Sequence, residues 1–116
     1  MHEMALMGDI LNIIIEDAEQ KGIKQFSNIE LLVGELSNAM PDALEMAFAI
    51  YKEQNPQLFS ENASLHIEHE EALSECIFCQ TRYKPDLKIS ICPSCNMPSG
   101  KLISGETFQV LSYEGD

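Results

Sequence analysis

Two cysteine pairs, Cys76-Ile77-Phe78-Cys79 and Cys92-Pro93-Ser94-Cys95, stand twelve residues apart, and the chain has no other cysteine. Two residues between thiols let one tight turn aim both sulfurs at a single point, and the longer spacer can fold as a hairpin that brings the second turn opposite the first. This is the layout of two knuckles closing on one tetrahedral ion. Four thiolates saturate zinc(II) and leave no open position for water, so such a site is structural and not hydrolytic. The metal also replaces a core that roughly 35 residues could not bury. Cysteines confined to these pairs fit a reducing compartment, and the expected location is cytoplasmic. Two other readings use the same residues: a pair of redox dithiols, and an iron centre for electron transfer, because Cys92-Pro93-Ser94-Cys95 resembles one rubredoxin knuckle. Iron knuckles usually continue with Gly, whereas Gln80 and Asn96 follow here.

Charge divides the chain into zones. Nineteen acidic against seven basic residues in 116 give a net charge of -12. A surface of that sign repels phosphate backbones and anionic headgroups, so neither nucleic acid nor membrane is an expected partner. Residues 1–70 hold thirteen acids and three bases, residues 71–105 three acids and four bases, and residues 106–116 three acids and no base. The cysteine-bearing stretch is thus a different chemical zone. The first twenty residues are apolar inside but lack a basic n-region and a small-residue cleavage site, and Asp9, Glu16 and Asp17 interrupt them, which predicts neither a signal peptide nor a membrane span.

Hydrophobic spacing predicts a helix over 4–21, with Met7, Ile10, Leu11, Ile14 and Ala18 on one face and Gly22 as its stop. Gly8 costs this helix about 1 kcal/mol relative to Ala, which suggests close approach of another backbone. Residues 28–36 read as a strand with Ile29, Leu31 and Val33 on one face; Leu32 and Leu36 on the other make it central. Pro41 suits the first position of a second helix buried along Leu44, Ala47, Phe48 and Tyr51 and ending before Asn55-Pro56. Residues 63–70 alternate as a strand with Leu65 and Ile67 inward, and residues 106–113 alternate again with Phe108 and Val110 on one face. The expected fold is α+β: a small domain of two helices and a three-stranded sheet, residues 1–70 plus 106–116, with a zinc-ribbon-like module, 71–105, inserted before the last strand.

His2 is not among the small second residues that permit removal of the initiator Met, so the mature chain is expected to begin Met1-His2-Glu3 with a free amine. That α-amine, the backbone amides of His2 and Glu3 and the His2 imidazole form a compact nitrogen set. Its planar arrangement favours nickel(II) or copper(II) over tetrahedral zinc. The bland reading is a His2 that is simply exposed at a terminus. His66 and His69, three apart on a strand, point to opposite faces and cannot readily share an ion. Acid pairs such as Glu16-Asp17 and Glu70-Glu71 read as solvated faces. No Ser/His/Asp set, phosphate loop or paired-carboxylate cleft is present in the sequence, and no enzymatic activity is expected.

Met1-His2-Glu3-Met4, the stretch Val33-Gly34-Glu35-Leu36-Ser37-Asn38 leading into Ala43-Leu44 and Ala47-Phe48, and Cys76-x2-Cys79-x12-Cys92-x2-Cys95 occur together. In this combination the sequence resembles the HypA/HybF family of nickel-insertion accessory proteins for NiFe-hydrogenase maturation, over nearly the whole chain. The resemblance implies that His2 is a nickel ligand and that the four cysteines hold zinc. It further implies delivery of nickel, with the partner GTPase HypB, to the hydrogenase large-subunit precursor, with urease maturation proteins as further candidate partners. In some members a histidine beside the zinc motif influences metal binding; residues 71–116 contain none. A monomer or weak homodimer is expected. The competing reading is a zinc-ribbon adaptor that bridges proteins and carries no nickel.

Overall fold

The computed structural model describes residues 2–85 and 91–116. Its elements are α1 (His2–Lys21), β1 (Phe26–Gly34), α2 (Pro41–Gln54), β2 (Phe59–Glu70), β3 (Leu73–Cys76), β4 (Arg82–Tyr83), β5 (Gly100–Ser104) and β6 (Phe108–Gly115). They fall into two compact units, the first Met1–Leu32, Ala39–Glu68 and Gln109–Asp116, the second Val33–Asn38 and His69–Phe108.

Helix α1 begins at His2, two residues before the hydrophobic spacing starts, because a helix can open with an exposed His and with Glu3, whose charge suits the positive end of the dipole. It buries Met7, Ile10, Leu11, Ile14 and Ala18, the predicted stripe. It stops at Gly22, which adopts φ +73°; the Ile23 N–H reaches the Ala18 carbonyl and the Gly22 N–H that of Glu19. That pair of bonds caps the last turn, and the left-handed conformation it needs is open to Gly at no steric cost.

Strand β1 is central, in the order β2-β1-β6. Along β1 and β2 the partners advance together: the Phe26 N–H donates to Leu58 and the Glu35 N–H to Glu70, so the two strands are parallel. A parallel pair needs a crossover, and α2 supplies it. Strand β6 runs the other way, with Gly34 bonded to Thr107 at one end and Gln25 to Asp116 at the other. The strands start and stop about two residues from the expected limits, and β2 begins earlier, at Phe59, whose ring packs 5.4 Å from Phe48 and 6.0 Å from Phe26. Burial of each such ring stabilises the unit by about 1.5–3 kcal/mol.

The close approach at Gly8 comes from a side chain and not, as the sequence suggests, from a backbone. A Cβ at Gly8 would lie 2.8 Å from the Tyr51 hydroxyl, which donates to the Met4 carbonyl at 3.1 Å and ties α2 to the first turns of α1.

In the second unit β3 is the middle strand of a small sheet, β4-β3-β5, antiparallel to both neighbours. Two carboxylates organise the chain around it. Glu70 accepts the N–H groups of Gly105 (2.7 Å) and Thr107 (3.2 Å). Glu35 accepts the Ala72 N–H (3.3 Å) and pairs with the Lys84 ammonium (2.9 Å). Both carboxyls lie below the usual Glu range, Glu70 through the Gly105 N–H above all and Glu35 through Lys84. Glu70 is thus a fixed acceptor, where the sequence reads a solvated pair. Gly34 is required here because a Cβ would strike the Gly105 carbonyl oxygen.

Candidate metal centre

Each cysteine pair is a turn. The Gln80 N–H bonds the Cys76 carbonyl at 3.0 Å and the Asn96 N–H bonds the Cys92 carbonyl at 2.8 Å, so both chains reverse in the same way. Inside the turns, N–H groups point at sulfur: Phe78 and Cys79 toward Cys76 Sγ (3.4 and 3.5 Å), Cys95 toward Cys92 Sγ (3.4 Å). Gln80 and Asn96 take φ +59° and +56°, the left-handed conformation that Gly adopts most easily. Absence of Gly after each pair therefore does not change the turn, and only the backbone angles reveal this.

The four sulfurs lie within 4.8 Å of one another. Cys76 and Cys95 are 3.8 Å apart, Cys79 and Cys92 3.6 Å. A tetrahedron with metal–sulfur bonds of ~2.3 Å has edges of ~3.8 Å, so the cluster fits zinc(II). Cys76 and Cys92 are buried, Cys79 is exposed and Cys95 lies between. Without a cation the thiols share protons unequally. The Cys79 N–H and the Ser99 hydroxyl lower Cys76 to about 6, whereas hydrogen bonds with Cys79 and Cys76 push Cys95 up to about 12. Four sulfurs this close cannot all ionise unless a cation replaces the protons, and zinc does so. The spacer's expected hairpin includes residues 86–90, which lie outside the described residues.

Among the described residues no second cluster of His, Cys, Asp or Glu has metal-ligand geometry. His66 and His69 are both exposed on β2. His2 is exposed in the first turn of α1, with Nδ1 3.8 Å from the Glu3 carboxylate, and Met1 lies outside the described residues. Glu3 is 9% exposed. Its carboxylate accepts the N–H of Met40 at 3.3 Å, and its pKa is lowered by its own N–H first and that of Met40 second. Met40 is the N-cap of α2 and makes no side-chain cap, so Glu3 does from another helix what a capping-box acid does locally. The sequence names Glu3 only for its amide. Its carboxylate role was hidden because the partner is distant along the chain.

A two-helix α+β body with a separate, closed four-thiolate ribbon defines a small metal-handling protein whose zinc is architectural. Over residues 1–115 the chain matches the family described as hydrogenase/urease nickel incorporation, metallochaperone, HypA, and it belongs to that family. It is 35% identical over 116 residues to the hydrogenase maturation factor HypA of Moorella thermoacetica, covering 100% of both chains. It is 32% identical over 115 residues to that of Chloroflexus aggregans, covering 98% of each. A solution structure of HypA shares the fold with a TM-score of 0.68 at 24% identity, over 99% of this chain and 96% of the other. The Ni metallochaperone HypA from Helicobacter pylori does so with 0.64 at 21% identity, over 97% and 96%.

Proposed function

We propose that this chain carries nickel(II) for NiFe-hydrogenase maturation on the Met1 amine, the amides of His2 and Glu3 and the His2 imidazole, and hands it to the large-subunit precursor together with HypB. The observation that carries this reading is the helical start at an exposed His2. The first four N–H groups of a helix have no acceptor in the preceding turn, so a metal can take amides there without breaking the helix; the Glu3 N–H, which meets its own carboxylate, must release it first. A site on the surface can release its cargo; a saturated thiolate centre cannot. In this reading residues 1–70 plus 106–116 form the nickel-binding domain and 71–105 the zinc-binding module. Urease maturation proteins are a second destination, the segment Glu35–Pro41 is part of a partner surface, and the protein works in the cytoplasm as a monomer or weak homodimer. No helix among the described residues is long and apolar enough to cross a membrane.

Adding one residue before Met1 tests the donor set. The extension turns the Met1 amine into an amide and moves the imidazole from second to third place, where it can complete a different square-planar chelate, so the extended chain still takes nickel but with a changed absorption spectrum. An unchanged isotherm and spectrum would remove the amine from the site.

A further inference from the structure

Strand β6 ends the order β2-β1-β6, so among the described residues its outer row of backbone groups pairs with no strand. Such an edge is ordinarily protected by Lys, Arg, Pro or charged side chains. The other edge, β2, exposes Glu61, His66, Glu68 and His69. In contrast, Phe108–Gly115 contains no Lys, Arg or Pro, carries a charge only near its end, at exposed Glu114, and exposes Leu111 at 40%. Four consecutive residues of the strand, Val110 to Tyr113, line a groove of about 500 Å³ whose opposite bank is α1. On that bank Ile13 is 63% exposed.

Acids rim this apolar strip. Asp9, Glu16 and Asp17 stand at the i−4, i+3 and i+4 positions around Ile13, neighbours on a helix surface. Residues 106–116 add three acids and no base. Lys21, the cation among the lining residues, is held by Asp17 at 2.9 Å and sits 5.5 Å from the centre of the Tyr113 ring. We propose that β6 and this groove dock an extended segment of a partner protein, apolar at alternate positions and carrying Lys or Arg beside them, which joins the sheet as a fourth strand. Backbone pairing along the edge supplies affinity, the strip around Ile13 and Leu111 takes the apolar side chains, and the acidic rim selects the charge. A second copy of this chain is disfavoured because its acids would meet like charge. The surface contains neither His2 nor a cysteine, so the proposal stands or falls apart from nickel carriage.

The probe is a capped heptapeptide alternating lysine and valine, titrated into the isotopically labelled, zinc-loaded full chain. Binding should saturate, shift the amides of residues 109–113 and slow their hydrogen exchange. Leu111→Lys and Ile13→Lys, both at exposed positions, should each weaken binding by about tenfold or more, because a cation now faces a cation. A glutamate–valine peptide should not bind. The proposal is overturned by absence of saturable binding, by shifts spread over the acidic surface without slowed exchange in β6, by equal binding of the glutamate peptide, or by full affinity in both variants. Dimerisation through β6 that excludes the peptide would also overturn it, in favour of a second copy.

Discussion

Gly8 and Tyr51 show what one residue's neighbourhood contributes. A glycine inside a helix is visible in the sequence, but its partner is not, since Tyr51 lies on another helix far along the chain. The pair makes a quantitative prediction. Tyr51→Phe loses the bond to Met4 and should cost about 0.5–1.5 kcal/mol. Gly8→Ala should stabilise that variant by about 1 kcal/mol through helix propensity, because the ring carbon then facing the new Cβ is 3.6 Å away. In the parent chain the new methyl meets the hydroxyl at 2.8 Å, and the gain should be largely lost. Urea unfolding of the four proteins in this cycle measures the coupling, and additive effects would contradict the contact. Glu3 teaches the same lesson: its carboxylate cap on α2 is a long-range contact that no local pattern announces.

Among elements, those with their own signal were legible. The stripe of α1, its Gly22 stop, Pro41 opening α2 and the alternation in β1, β2 and β6 all follow from periodicity and backbone chemistry. The short strands β3, β4 and β5 were not, because two to five residues carry too little period to read, and the cysteine turns organise them instead. That dependence has a direct consequence. With only a few buried apolar side chains among the described residues of the second unit, removal of zinc by a chelator, or Cys76→Ala, should abolish hydrogen-exchange protection in β3 and β5 and spare α1 and α2. Full protection of β3 in a verified zinc-free protein would contradict the assignment of the metal as the unit's core.

At the scale of the whole molecule, the sequence foresaw a three-stranded sheet with a returning last strand, but not the parallel pairing of β1 and β2, which only the order of hydrogen-bond partners reveals. The zinc ligands were legible because four residues in a fixed spacing define a tetrahedron. The proposed nickel site is less so, because most of its proposed donors are backbone nitrogens that every chain possesses, and His2 alone marks the position. The proposed division of labour rests on two kinds of donor: thiolates that close around a resident ion, and an exposed imidazole beside first-turn amides for an ion in transit. The measurement that tests this most directly is calorimetric nickel titration of the tag-free chain against His2→Ala, with zinc content determined on both. The account predicts that nickel binding is lost in the variant, that affinity in the parent falls as pH drops because protons compete for the amine and imidazole, and that both proteins retain one zinc. Equal nickel stoichiometry and affinity in the two proteins would contradict it and leave the zinc-ribbon adaptor as the better description.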